Sequence, residues 1–156
     1  MYEQVSACRV CGNQRLETVV DLGMQAYTGI FPKSADTDVP VGPLQLYFCD
    51  QCNLTQLAHR FDASMMYGEN YGYRSGLNAS MVNHLSNKVQ WLTGMVGLNP
   101  GDYVLDIGSN DGTTLGSDNV DRLKLIGIDP TGAKFRQYYK PGIELVPDFF
   151  TAENWR

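Results

Sequence analysis

Four cysteines carry the clearest chemical signal in this 156-residue sequence. They fall as two C-x-x-C pairs, Cys8–Cys11 and Cys49–Cys52. A two-residue spacer lets both sulfurs of one knuckle reach the same ion. Two knuckles then complete a tetrahedron of thiolates around zinc at about 2.3 Å per bond. Gly12 and Asn53, directly after the pairs, suit the tight turn that each knuckle needs. Four thiolates leave no open coordination position, so the metal is expected to be structural. Reduced structural thiols or a disulfide are the competing readings. The N-terminal MYEQVSACRV lacks the apolar stretch of a secretion signal, which makes a disulfide framework the weaker one. The pairs are separated by 37 residues, 12–48, against about 15–20 in a compact zinc ribbon, so a loop or hairpin is expected between them.

A second constellation lies near residue 106. Asp106-x-Gly108-x-x-x-Gly112 closes one expected strand, and Asp129 closes the next. The glycines allow a ligand to lie against the backbone over the strand tips. An acid about 20 residues further on suits the ribose hydroxyls of a nucleoside. The dinucleotide fingerprint G-x-G-x-x-G fails, because Gly108-Ser109-Asn110 has Asn at the second glycine position. No G-K-[ST] of a phosphate-binding loop is present either. What remains is the loop type that cups S-adenosylmethionine, a nucleoside without phosphate; a plain glycine turn in an α/β protein is the competing reading. An NAD-linked enzyme is disfavoured by Asn110.

These residues need elements to hold them. Leu16, Val19, Val20 and Leu22 form a short apolar segment ending at Asp21-Leu22-Gly23. Residues 31–43, with Pro32, Pro40 and Pro43, read as a loop, and residues 44–49 and 54–57 as strands flanking the second knuckle. Residues 61–78 carry Tyr67, Tyr71 and Tyr73 among Gly68, Gly72 and Gly76, either as a linker or as a ligand-facing segment. Val82, Leu85, Val89, Leu92 and Val96 recur at helical spacing over 79–96, with Asn78 or Ser80 as cap and Gly97 as stop. From residue 100 the pattern becomes β-α-β-α-β: strands at 103–107, 123–128 and 143–146, with helical segments expected at 113–122 and 131–139. That succession implies a parallel sheet with right-handed crossovers. His59 and His84 stand alone and read as ordinary structural residues.

Composition narrows the function classes. The chain is 43% hydrophobic and 19% charged, enough apolar residue to bury a core. Twelve Lys+Arg against 17 Asp+Glu give a net charge of -5, without the basic face of a nucleic-acid binder. No apolar run approaches the roughly 18 residues of a membrane span, so no membrane partner and a cytoplasmic location are expected.

Taken in order along the chain, these stretches resemble the N-terminal part of the zinc-containing, S-adenosylmethionine-dependent sugar C-methyltransferases. The matching segments are Cys8-x-x-Cys11-Gly12, Asp21-Leu22-Gly23, Pro43-Leu44-x-Leu46, Cys49-x-x-Cys52, Tyr71-x-Tyr73-x-Ser75-Gly76-x-Asn78, residues 104–112, Gly127-Ile128-Asp129-Pro130 and Pro147-Asp148-Phe149-Phe150. The resemblance implies an α/β fold in three parts. Residues 1–60 would be a small four-cysteine, β-rich zinc module, 61–98 a Tyr/Gly-rich connector and helix, and 99–156 the first part of a Rossmann-like methyltransferase domain. It also implies that Asp106, Gly108, Ser109, Asn110 and Gly112 lie under the methionyl part of the cofactor. Asp129 would take the ribose, Asp148 and Phe149 would border the adenine, and Tyr71 and Tyr73 would lie near the methyl-transfer cleft. The acceptor would be a nucleotide-linked keto-sugar. The family's remaining strands and its base lie beyond the matched stretches, so no base is assigned and this chain alone is expected to be inactive. A non-enzymatic, zinc-stabilised protein-interaction module is the alternative.

Overall fold

The computed structural model describes residues 2–27, 30, 32–68, 71–118 and 121–153. Phe31 at the start of the expected proline loop, Asn119 in the first expected crossover and Arg156 at the chain end lie outside the described residues. The chain divides into two compact units, Met1–Gly72 and Tyr73–Arg156.

The first unit is built on strands. β1 (Tyr2–Gln4) pairs antiparallel with β5 (His59–Phe61), while β2 (Leu16–Ala26), β3 (Val41–Cys49) and β4 (Thr55–Leu57) form an antiparallel sheet in the order β2-β3-β4. A short helix, α1 (Ala63–Tyr67), follows, capped by Asp62. β2 does not end at Gly23, as its turn residues suggest. Its register against β3 shifts between Asp21 and Met24, and the strand then resumes to Ala26. Asp21 makes this possible: it accepts from Gly23 N–H at 2.9 Å and from the Gln45 amide at 3.1 Å across the ladder. The result is a bulge within a longer hairpin. The expected loop is correspondingly shorter, because β3 begins at Val41 and includes Pro43. Proline is tolerated there since β4 pairs only with Leu46–Phe48, leaving Pro43 with a single neighbour strand. The small core of this unit holds Val5, Cys8, Tyr27, Cys49 and Ala58. Tyr27 meets Phe61 edge to face and Tyr2 lies tilted against it, at 5.3 and 6.0 Å between ring centroids.

The second unit opens with a 3-10 turn, Ser75–Leu77, followed by α2 (Ala79–Val96). Asn78 is its cap, accepting from Ser80 N–H at 2.9 Å, and Gly97 closes it in the left-handed conformation. β6 (Tyr103–Ile107), β7 (Lys124–Ile128) and β8 (Ile143–Val146) form a parallel sheet in that order. β7 is central, and its Leu125, Ile126 and Ile128 form the core with Leu115, Phe135 and Val89. The first connection is not the helix expected over 113–122. Among the described residues it holds only a 3-10 turn, Leu115–Ser117. Gly116, Ser117 and Asp118 have low helix propensity, and a burial site for Leu115 is enough to fix one turn. The second connection is α3 (Gly132–Phe135) followed by a 3-10 turn, Arg136–Tyr138.

Candidate functional site

The two knuckles have the same backbone. Cys8 N–H donates to Asn13 O and Gly12 N–H to Cys8 O; Cys49 N–H donates to Leu54 O and Asn53 N–H to Cys49 O, all at 2.8–2.9 Å. Gly12 and Asn53 both take positive φ, 75° and 60°. The turns bring all four sulfurs within 4.8 Å of one another. The Sγ atoms of Cys8 and Cys52, and those of Cys11 and Cys49, are 3.5 Å apart. A tetrahedral zinc with bonds of about 2.3 Å requires sulfurs about 3.8 Å apart, so the cluster fits that ion.

The thiols alone are in conflict. Burial raises Cys49, but the Asn13 amide and the backbone N–H groups of Cys52 and Gln51 outweigh it and bring it down to about 6. At Cys52 the Leu54 N–H acts downward, yet burial and the three neighbouring thiols push it up to about 12. A divalent cation at the centre removes the conflict. Two further supports carry no sequence signal of their own. The Asn13 amide reaches Cys49 Sγ at 3.5 Å and Asp50 at 2.8 Å. Gln56, buried on β4, accepts from Arg9 N–H at 3.0 Å and so braces the first knuckle.

In the second unit, the tips of the three parallel strands are tied in series. Gly108 N–H donates to Ile128 O at 2.8 Å, and Asp129 N–H to Val146 O at 3.1 Å. This brings Asp106, Gly108, Ser109, Asn110, Gly112 and Asp129 together over the C-terminal edge of the sheet. Asp129 is 7% exposed. Its Oδ2 accepts from Asn110 N–H at 2.8 Å, and its Oδ1 from the Thr131 N–H and hydroxyl at 2.7 and 2.5 Å. A carboxylate offers about four acceptor positions, and three of those on Asp129 are filled by protein donors, so this side chain chiefly fixes the loop. Ser109 turns its hydroxyl to Tyr139 OH at 2.8 Å, and Tyr139 OH also donates to Asn110 O at 3.0 Å. Burial first of all pushes the Tyr139 phenol up to about 12, so it remains a donor throughout the neutral range. Asn110 sits at φ 52° and turns its side chain towards residues 73–75.

Asp106 is different. Its Oδ2 is buried and has no hydrogen-bond partner among the described residues. Burial, and after it the Asp129 charge, raises its pKa, against a Thr114 side-chain hydrogen bond and the Lys88 charge, which act downward. It also borders a cavity of about 490 Å³ lined by Val89, Leu92, Val96, Leu105 and Leu115. Beyond Asp106, Gly108 is exposed at φ 81° with open space where a side chain would be. Asp148, at the tip of β8, is exposed and accepts from Phe149 N–H at 2.7 Å; Phe149 is half-buried. Tyr73 belongs to this unit, and its carbonyl accepts from the Asn110 amide at 3.1 Å. Tyr71 belongs to the first unit, its ring 5.7 Å from that of Tyr67. His59 meets the Tyr2 ring edge to face at 5.6 Å between centroids, and His84 is an exposed residue of α2.

Residues 8–67, which include all four cysteines, match the family described as "Putative zinc binding domain". Over 153 residues, 96% of this chain, the sequence is 29% identical to the C-methyltransferase NovU of Streptomyces niveus. The resemblance to the zinc-containing C-methyltransferases holds. The family match and the cysteine cluster together support zinc binding in this C-methyltransferase relative. The aligned stretch is 36% of the length of NovU. No helix among the described residues is long and apolar enough to cross a membrane.

Proposed function

We propose that this chain forms the zinc-binding and methyl-donor-binding parts of an S-adenosylmethionine-dependent C-methyltransferase. Its second unit is read as the start of a Rossmann-like domain. The observation that carries the donor assignment is the buried, unpartnered Asp106 Oδ2 beside the open turn at Gly108. An unpaired carboxylate oxygen suits a ligand carrying positive charge. The loop also spends its backbone donors internally: the N–H groups of Gly108, Ser109, Asn110, Gly112 and Thr113 all bond protein acceptors. A diphosphate would find few donors, and the 3-10 turn that follows is no helix N-terminus for it. A cationic nucleoside without phosphate fits better than NAD.

In this reading Asp106 and the 108–112 loop hold the methionyl end, Asp129 meets one ribose hydroxyl, and Asp148 and Phe149 flank the base. When bound, S-adenosylmethionine supplies an electrophilic methyl group, and the chain's residues bind and orient it. The acceptor class, a nucleotide-linked keto-sugar, rests on the resemblance alone. The zinc ligands are Cys8, Cys11, Cys49 and Cys52, with a structural role.

Titration calorimetry with S-adenosylmethionine, S-adenosylhomocysteine and NAD tests the donor assignment. Binding of the first two and not the third is expected; binding of NAD alone overturns it. Binding of none favours the interaction-module alternative, which the exposed Trp91, Met95 and Val96 of α2 support.

A further inference from the structure

We propose that Asn110 and Asp111 are positioning residues: their side chains latch residues 73–76 across the glycine loop and serve this strap before any ligand. The Asn110 amide uses both ends on the strap's backbone. Its Oδ1 accepts from Ser75 N–H at 2.9 Å, and its Nδ2 donates to Tyr73 O at 3.1 Å. It thereby stands in for one residue of a neighbouring strand. Asp111, 1% exposed, accepts from Gly76 N–H at 2.8 Å and pairs with Arg74 at 3.4 Å. The Arg74 guanidinium in turn lies 3.8 Å from the centre of the Tyr138 ring. Gly76 is part of the fit, since a Cβ there would meet Asp111 Oδ2 at 2.8 Å and Thr113 Oγ1 at 2.9 Å.

This accounts for Asn where the dinucleotide fingerprint has glycine. Asn tolerates the left-handed backbone of that position, and its amide is the donor–acceptor pair a strap needs. Because the loop and the strap share these bonds, a ligand that orders one orders the other. That last step rests on the nucleoside reading above; the latch itself does not.

Residue-resolved hydrogen exchange on the full chain provides the test. Asn110→Gly keeps the backbone conformation accessible and removes both amide bonds. Exchange at Ser75 is expected to rise about tenfold, the scale of one or two lost hydrogen bonds, with Leu125–Ile128 unchanged. Unchanged exchange at Ser75 overturns the latch. If Asn110→Gly loosens β7 as well, Gly76→Ala decides, because it displaces the strap without altering the loop sequence. Faster exchange at Ser75 with β7 protected supports the latch, and a protected Ser75 overturns it. S-adenosylhomocysteine is then added to the unsubstituted chain. Slower exchange at Ser75 and Gly76 supports coupling of strap and ligand. Binding without that change overturns the coupling. No binding overturns both the nucleoside reading and the coupling, leaving the latch to stand on its ligand-free result.

Discussion

Asp106 makes a prediction with two opposite signs. Its folded pKa is raised, so the fold favours the protonated form. Its stabilising contribution is complete below the ordinary carboxylate value and is lost as pH rises through the raised one. Binding of a cationic ligand runs the other way and strengthens over the same interval, because it needs the carboxylate. Asp106→Asn is therefore expected to raise the stability of the free chain at neutral pH while weakening S-adenosylmethionine binding by about tenfold or more. Calorimetry and thermal melts across a pH series read both; a fall in stability together with unchanged affinity would remove Asp106 from the site. Tyr139→Phe tests the underside of the loop. Loss of its bonds to Ser109 and Asn110 is expected to cost about 1–2 kcal/mol, read from urea midpoints at constant slope. The residues legible in the sequence are those whose type and spacing are the chemistry: the cysteines, Asp106, the loop glycines. Gln56, Arg74, Thr131 and Tyr139 were not legible, because their roles come from what the fold sets beside them.

At the scale of elements, the knuckles and the hairpin between them act together, since the β2–β3 register begins at Leu16 opposite the ligand Cys49. Metal analysis is expected to give about one zinc per chain. Cys52→Ser is expected to abolish that stoichiometry and unfold the short strands around the knuckles, visible as lost exchange protection at Cys8, Cys49 and Asn53. Acidification weakens the metal, because four thiols must release protons to bind it. A chain that keeps its protection in strong chelator would contradict a structural metal. Strands flanking the second knuckle, the parallel strands and α2 could be read from the spacing of their apolar residues, although α2 buries only Val89 and β6 leaves Tyr103 and Ile107 exposed. The bulge at residues 21–24 could not. Asp21-Leu22-Gly23 has the composition of a turn, and only the Gln45 amide on the facing strand makes it a kink in a continuing strand.

At the scale of the molecule, each unit has its own core, one around the cysteines and Tyr27, the other around Leu125, Ile128 and Leu115. Leu125→Ala is expected to cost about 2–5 kcal/mol, measured as the unfolding free energy of the β6–β8 sheet by hydrogen exchange. β6 pairs only with β7 among the described residues, with Tyr103 and Ile107 exposed. The hairpin between the knuckles has a further effect on how the polypeptide holds together. Residues 32–38 at its far end are exposed, and a protease cut after Lys33 breaks the chain without parting it. The β2–β3 ladder and four thiolates on a single ion span the break. Such a nicked protein would migrate as one particle under native conditions and separate into two fragments only when metal and ladder are both undone. In that respect the ion does the work of a covalent staple, one that a chelator can open.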